Sequence, residues 1–561
     1  MTKKIIIYLL FFFPILLFAQ EKDKNYGQLH GNFETIIQTY KVDTIIGINS
    51  ADVPKEKALS NSYLNLRYTK DKFSAGIRYE VYLNTIEGYD KRYNGHGIAS
   101  RYATYVSDDL EVTVGNFYEQ FGNGLILRTY EEKTLGIDNS LDGVRLKYKR
   151  IKGIKLTGII GKQRLYWAHG SGIVRGLDGE ISFNETFKQL AESKTRFLLG
   201  GSFVSKYQKN EDPTYNYPEN VSAFSGRFNL SRSGFILSSE YVYKINDPSA
   251  DNSVLYGYPI FKDGSALFVN ASWSKRGIGF LLTGLRLDNM SFRSDRSASI
   301  NDLSINYLPA IAKTHIYALP AMYPFSTQSL GEVGFNSEFF YTFKRKTFLG
   351  GKYGTNITLN YSHINSIDIK KVTIDPTAEH INLDGYTSGF TDFGKELYFR
   401  DFNLEIHKKV HKKLKLALIY MYQDFNKQVM QGKGGGIRAN IGVLDFTYNI
   451  SSKNSIRIET EALFVDKEET GDKKDFGDWY MGMLELTFSP HWFIAVTNQY
   501  NTGNKHYQSA NYYNVVAGYV KGANRLQVGY GRQREGVVCA GGVCRFVPAS
   551  SGFNFTLSSS F

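Results

Sequence analysis

The stretch "GFNFTLSSSF" (552–561) alternates apolar and polar residues and ends on an aromatic side chain. Successive side chains of an extended chain point to opposite faces, so a period of two is typical of a β-strand with one apolar face. The apolar face here holds Phe553, Phe555, Leu557 and Phe561. The chain is therefore predicted to end on an amphipathic strand.

The same alternation recurs along the chain, for example at 73–84, 456–464 and 526–531. The composition agrees with it, because aromatic residues make up 15% of the chain and only 12 of the 561 residues are proline. Aromatic residues favour strands, whereas proline cannot donate to a strand ladder. We predict an all-β fold of about 24 strands, with the eighth beginning near residue 177 and the sixteenth near residue 397.

The connections between the predicted strands alternate in length. "TKDK" (69–72) and "KGAN" (521–524) are short, whereas 118–141 and 294–330 are long. A soluble sandwich would also show alternating strands, but it has no reason for this asymmetry. The pattern predicts a transmembrane up-and-down antiparallel β-barrel of 20–26 strands, with short periplasmic turns and long extracellular loops. The final aromatic residue resembles the end of the closing strand in bacterial outer-membrane barrels.

The N-terminus has the features of a cleavable signal peptide at 1–19. Two lysines precede an apolar run that is too short to span a membrane, and Ala19 is a small residue at the expected cleavage site. We expect residues 20–561 to form a single domain in the bacterial outer membrane. Only six residues lie between the cleavage site and Tyr26, so we expect no N-terminal plug domain.

The formal net charge of +13 is concentrated in the predicted short turns. Seventeen basic residues lie there against three aspartates. We call these basic residues the basic rim: Lys70, Lys72, Lys149, Arg150, Lys152, Arg232, Lys275, Arg276, Lys344, Arg345, Lys346, Lys408, Lys409, Lys412, Lys413, Lys453 and Lys521. Anionic outer-membrane lipids are the partners that this pattern favours, and an acidic protein is the alternative. We expect no nucleic-acid partner.

The polar faces predicted to point into the barrel carry charges of both signs. Candidate residues of the lumen wall are Arg78, Glu80, Arg145, Lys147, Glu459 and Glu461. An ion-selective pore usually shows clustered charges of one sign, so the mixed wall favours charge pairing between strands.

Two long loops, 115–143 and 300–332, contain many apolar and aromatic residues. Loops of this kind must fold inward as a constriction or outward as a lid or partner surface. Candidates for narrowing the lumen are Arg128, Tyr130, Glu131, Glu132, Asp138 and Asp142. Candidates for an external binding patch are His315, Tyr317, Tyr323 and Phe325.

The sequence lacks the common catalytic motifs. It contains no GxSxG elbow, no P-loop and no HExxH spacing among its ten histidines. We expect no enzymatic activity, no cofactor and no metal site.

Three stretches carry a resemblance to a known family. They are "GNFYEQFGNGLILRTYEEKTLGIDN", "YALPAMYPFSTQSLGEVGFN" and "YGRQREGVVCAGGVCRFVPAS". Together they resemble an uncharacterised family of outer-membrane barrel proteins from Bacteroidota. The resemblance implies the fold and the location, and it implies no substrate or reaction.

The only two cysteines, Cys539 and Cys544, lie in the last of these stretches. A zinc site needs about four ligands, and no further cysteine or nearby histidine is present. The spacing also differs from that of a Cys-x-x-Cys redox pair. The segment is predicted to form the last external hairpin, where the compartment is oxidising, so we predict a disulfide that pins the tip of this hairpin.

Two functions fit these features. The first is a channel or porin-like protein that passes small solutes and is narrowed by inward-folded loops. The second is a non-transporting docking subunit of an outer-membrane assembly, secretion or surface-lipoprotein complex, whose partners would be other outer-membrane proteins or surface lipoproteins.

Overall fold

The structure is a computed structural model that describes residues 26–251, 253, 257–298, 300–372, 385–432, 434–466, 477–502 and 510–561. The predicted signal peptide (1–19) lies outside these residues. The described chain forms one closed antiparallel sheet of 24 strands, which confirms the predicted fold. The first and last strands pair with each other, and the backbones of Gly31 and Phe561 exchange hydrogen bonds of 2.8 and 2.9 Å across this seam.

The barrel strands are numbered β1 to β24 in chain order. The first twelve are Gln28–Thr39, Ala58–Lys70, Phe73–Leu83, Gly95–Val106, Leu110–Phe117, Leu141–Tyr148, Ile154–Leu165, Ala168–Ser182, Arg196–Tyr207, Asn220–Arg232, Phe235–Lys244 and Gly264–Lys275. The second twelve are Ile278–Asp288, Gly331–Phe343, Thr355–Lys371, Tyr386–Lys409, Leu414–Asn426, Gly436–Asn449, Asn454–Val465, Asp478–Phe488, Trp492–Thr502, Asn511–Lys521, Asn524–Gln533 and Ser550–Ser560.

Within the residues that the structure describes, helices are few and short. They include the α-helices Phe183–Thr186 and Lys427–Gln431 and the 3-10 turns Thr44–Ile46, Lys91–Tyr93, Lys188–Leu190 and Pro320–Met322. Within the described part of the chain, none has the length and apolar character that crossing a membrane would require.

The sequence predicts most strand starts within a few residues, but two strands begin earlier than expected. β8 starts at Ala168 instead of residue 177, because Tyr166 adopts a positive φ of 55° and allows a tight turn directly after β7. The Tyr166 hydroxyl donates to Asp302 at 2.7 Å and the Trp167 indole donates to the Tyr93 carbonyl at 2.8 Å, so tertiary contacts hold this turn. β16 starts at Tyr386 instead of residue 397, where it pairs with Lys371 of β15 and extends beyond β17.

The alternation places apolar side chains outside the barrel and polar side chains inside. On β11, Glu240 is fully buried, whereas its neighbour Tyr241 is 46% exposed. On β13, Thr283 is buried and Leu282 is exposed. Exposed apolar residues surround the barrel in this way, which is the reverse of a water-soluble protein and typical of a lipid-facing belt.

The two ends of the barrel differ. One end carries the short turns, and there all residues of the basic rim except Lys408 are fully exposed. The other end carries the long connections, of which three pack inside the barrel. These three are residues 118–140, residues 289–330 and the hairpin formed by Gly536–Ala540 and Val543–Val547. We call them together the plug.

The hairpin of the plug contains the predicted disulfide between Cys539 and Cys544, which pair directly across its two strands. The hairpin lies at the end that carries the long connections, as predicted, but its tip folds inward instead of pointing outward. The Tyr307 hydroxyl donates to the Gly541 carbonyl at 2.7 Å, and the Thr327 amide donates to the Gly542 carbonyl at 3.1 Å. The tip therefore packs on the 289–330 segment of the plug.

The outward apolar belt leads to a prediction about stability. Val515 lies near the middle of β22 on the outward face and Asn514 lies beside it on the inward face. Replacing Val515 with arginine should lower the free energy of unfolding by about 2–4 kcal/mol, because a cation is then placed in hydrocarbon. Asn514→Arg should change it by less than about 1 kcal/mol, since this side chain points into a polar interior. Urea titration in lipid vesicles measures both values, and equal losses would contradict the assigned faces.

Candidate functional site

The barrel interior is the candidate functional site, and the plug fills most of it. Its two long segments are joined by backbone hydrogen bonds, since the Arg128 amide donates to the Ile305 carbonyl at 2.9 Å and the Tyr307 amide donates to the Gly124 carbonyl at 3.0 Å. The Asn139 and Gln163 side chains both donate to the Ser304 carbonyl, at 2.9 and 2.8 Å. The plug is therefore one connected body that is also tied to β7.

A buried charge cluster fixes the 118–140 segment to the wall. Arg78 contacts Glu80 at 2.7 Å and Glu131 at 2.5 Å, and Arg164 contacts Glu80 at 2.7 Å and Asp138 at 2.5 Å. Two cations therefore face three carboxylates. Both arginines have nearly buried side chains, so each charge depends on its partners for stabilisation.

The sequence identified four of these five residues as candidates but did not identify Arg164. Arg164 lies where a bulge shifts the register between β7 and β8. The face to which its side chain points could therefore not be predicted from the alternation along the strand.

A second set of contacts involves Arg145 and Lys147, two predicted lumen residues. The Arg145 guanidinium lies 2.6 Å from Glu111 and 3.4 Å from Glu119, and the Lys147 ammonium lies 2.8 Å from Glu119. Arg145 also donates to the Tyr118 carbonyl at 2.9 Å. These contacts anchor the start of the 118–140 segment.

The 289–330 segment is anchored on the opposite wall. Lys313 lies 2.7 Å from Glu405, and His315 lies 2.5 Å from Asp401, whose side chain is fully buried. The backbone amide of Leu319 donates to Glu461 at 2.7 Å. A carboxylate that accepts backbone N–H groups holds both the position and the direction of the chain.

Two further buried lysines, which the sequence analysis did not identify, lie beside the 289–330 segment. Lys206 lies 2.7 Å from Asp247, and the Lys244 ammonium donates to the Ser291 carbonyl at 2.5 Å. Both lysine side chains are buried near the Phe292 ring. The alternation along β9 and β11 assigns both lysines to the inward face. This pattern could have identified them from the sequence.

Two predicted constriction residues pack within the plug. The Arg128 guanidinium lies 5.2 Å from the centre of the Tyr130 ring and 3.9 Å from that of the Tyr307 ring. Burial raises the pKa of both phenols, so they stay neutral beside the cation. Glu132 accepts from the Thr134 amide at 3.1 Å and caps a local turn.

Asp142 does not face the lumen. It shares the outward face of β6 with the exposed side chains of Val144 and Leu146. There it lies 3.1 Å from Arg101 and 3.0 Å from His169. The sequence analysis assigned it to the constriction because the predicted loop 115–143 includes it, but the strand has already begun at Leu141.

Glu459 and Glu461 lie on the inward face of β19, where Glu459 pairs with Arg457. The predicted external patch is also inside the barrel. The Tyr323 ring packs 5.5 Å from Phe425, and the Phe325 ring packs 5.4 Å from Phe399.

Tyr317 donates to Asp445 at 3.2 Å, and His315 pairs with Asp401 as described above. These side chains are apolar or charge-complementary to the wall, so they point inward and not to an outer surface.

The plug does not cover the whole wall. Its apolar cluster has buried members on β5–β13 and on β15–β20, and none on β21–β24. A cavity of about 450 Å³ lies along these last four strands, with Ala318 of the plug on its other side. We call this uncovered space the lane.

The wall of the lane is formed mostly by uncharged residues, and Arg532 and Arg534 line its end near the long connections. Its inward-facing residues include Thr497, Gln499, Asn514, Gln527, Gly529 and Asn554. Arg525, beside a short turn, is the one charged residue on the inward faces of these four fully described strands. The sequence analysis recognised the mixed charges of the wall but not their absence from this part of it.

The match to a family model covers residues 1–561. The chain belongs to the family of unknown function DUF6029. This membership agrees with the predicted resemblance to an uncharacterised family. No curated protein matches the sequence. Among the described residues, no group of three side chains is arranged to hold a metal ion.

Solved structures with similarity to this member of the family include large barrels. The ferric enterobactin receptor PfeA of Pseudomonas aeruginosa has 11% identity and a TM-score of 0.43, over 95% of this chain and 81% of that chain. The P pilus usher PapC translocation pore has 10% identity and a TM-score of 0.40, over 95% and 99%. The copper transporter OprC has 8% identity and a TM-score of 0.38, over 97% and 82%. At these scores the similarity does not identify a function for this chain.

The buried charge cluster gives a prediction about the plug. Arg164→Leu leaves Glu80 and Asp138 with a single cation nearby, and breaking a buried ion pair in this way costs about 3–5 kcal/mol. Hydrogen exchange of amides in 118–140 should accelerate, whereas that of β12 should not change.

Arg92→Leu is the matched control, because Arg92 also pairs with carboxylates but is mostly exposed, where such pairs contribute about 0–1 kcal/mol. Unchanged exchange in the Arg164 variant would show that the cluster does not hold the plug.

Proposed function

We propose that this protein is an outer-membrane barrel that passes small solutes along the lane, beside a plug made from its own loops. The observation that carries the proposal is the position of the plug, whose buried apolar cluster reaches β5–β13 and β15–β20 but not β21–β24. A solute could cross there without any movement of the plug.

The membrane location is supported by the outward faces of the strands. Exposed apolar side chains such as Leu282 and Val515 would be unfavourable in water over so large an area, whereas lipid accommodates them. The closed sheet supports the same location, because each strand finds hydrogen-bond partners on both sides and no edge is left in hydrocarbon. The outer membrane is the bilayer that such exported barrels occupy.

The anchors of the plug support a plug that stays in the barrel and is not displaced when a solute passes. Its anchors include the buried ion pair of Arg164 with Asp138 and the buried contact of His315 with Asp401. Removing the plug would expose unpaired charges on the wall, which is costly in free energy. Passage beside the plug avoids this cost.

A substitution in the lane tests the proposal. Thr497 faces the cavity, and its neighbour Val496 faces outward on the same strand. Thr497→Trp should lower single-channel conductance in planar bilayers several-fold, because the indole would occupy space opposite Ala318. Val496→Trp adds the same side chain on the lipid side and should leave conductance unchanged.

Two results would contradict passage along the lane. One is a folded wild-type protein that gives no conductance and no solute flux. The other is equal conductance in the two tryptophan variants, which would place the permeation path elsewhere.

A second candidate function is docking of an acidic partner to the basic rim. Lys409, Lys412 and Lys413 are exposed in one short turn, with Lys408 beside them. Clustered cations attract an anionic surface over about one Debye length, roughly 8 Å at physiological salt. The rim would then recruit the protein into a larger outer-membrane assembly.

Charge reversal tests this second function. Replacing the four lysines at 408, 409, 412 and 413 with glutamate should abolish salt-sensitive co-purification of an acidic partner from native membranes. The control is Lys55→Glu with Lys57→Glu at the opposite end of the barrel, where both residues are exposed. Identical partners in both variants would exclude docking on the rim.

A further inference from the structure

We infer that the lane selects neutral, hydroxyl-rich solutes such as small sugars and discriminates against ions. This inference rests on the proposed passage of solutes and adds the chemical class of the solute. Its basis is the difference between the wall that faces the plug, where charges are frequent, and the inward faces of β21–β24, where Arg525 is the one charged residue.

The first argument concerns charge. An ion that enters a narrow space gives up part of its hydration, and it needs fixed charges or dipoles of suitable sign in exchange. Arg525 lies at the short-turn end of the lane, near the Phe493 ring. Arg532 is held by Asp43 at 2.6 Å, and Arg534 lies over the Trp479 ring at 5.5 Å. The middle of the lane therefore offers an ion no countercharge.

The second argument concerns hydrogen bonding. Gln499, Asn514, Gln527 and Asn554 are primary amides that face the cavity, and Gln38 of β1 lines it as well. Each amide group carries two N–H donors and one carbonyl acceptor. A sugar hydroxyl is both donor and acceptor, so a row of amides can replace its water contacts in either direction.

The third argument concerns an aromatic surface in the same cavity. Tyr512 lines the lane, and its ring packs against Trp479 with the centres 5.9 Å apart and the planes inclined by 33°. A sugar ring has a face of C–H groups beside its hydroxyls, and an aromatic ring gives that face an apolar surface to cover. Amides and an aromatic ring together match both parts of such a solute.

The fourth argument concerns space. Gly529, Gly531 and Gly552 lie side by side on the inward faces of β23 and β24. At Gly531 and Gly552, a Cβ atom would meet backbone atoms 2.3 and 2.0 Å away, so larger residues do not fit there without moving the backbone. The absence of side chains at these positions keeps the wall of the lane flat beside the amides.

The test uses three solutes with six-carbon skeletons and different charges. Proteoliposomes with the full-length protein are supplied with labelled glucose, gluconate or glucosamine, and tracer influx is measured in buffered salt. Glucose should enter several-fold faster than either charged solute. Gln527→Glu places one negative charge in the lane and should increase the ratio of glucosamine to gluconate influx.

Asn49→Asp is the control for the added charge, because Asn49 lies in an exposed loop outside the lane. It should leave all three rates unchanged. Equal influx of the three solutes into wild-type proteoliposomes, or an unchanged ratio in the Gln527 variant, would overturn the selectivity while leaving passage intact. Absence of any influx would overturn passage itself, and the inference with it.

Discussion

Complete pairing of the backbone is the constraint on which the rest of this structure depends. In hydrocarbon, an unpaired N–H or C=O group costs several kcal/mol, so a sheet that crosses a membrane must close on itself. Pairing of Gly31 with Phe561 at the seam closes it here. Side chains alternate between two faces along every strand. In the closed sheet, one of these faces points to lipid and the other to the interior. The polar side chains on the inner face then need hydrogen-bond or charge partners inside the barrel.

The plug supplies these partners and occupies the interior. A barrel of 24 strands encloses more space than its own side chains can fill. The plug fills this space with an apolar cluster, and its polar groups pair with the wall, as Asp138 does with Arg164 and His315 does with Asp401. Buried charges on the strands would be unfavourable without partners. Here they bind the plug and hold it in the barrel.

The sequence predicts the strands well because their signal is local. Alternation, turn residues and connection lengths can be read within ten or twenty residues. The direction in which a loop folds is not local, since it depends on partners far along the chain. Tyr323 and Phe325 have the composition of an exposed patch, and only their contacts with Phe425 and Phe399 place them inside. Asp142 was misassigned for a local reason, because the predicted loop 115–143 includes the first three residues of β6.

The disulfide hairpin connects closure of the barrel with packing of its interior. It joins β23 to β24, the strand that pairs with β1 at the seam, and its tip accepts a hydrogen bond from Tyr307 of the plug. Strands β21–β24 have no buried member in the apolar cluster, so the hairpin is a contact through which the closing strands reach the plug. The two halves of the fold, a sealed wall and a packed interior, thus meet in one short segment whose shape a covalent bond fixes.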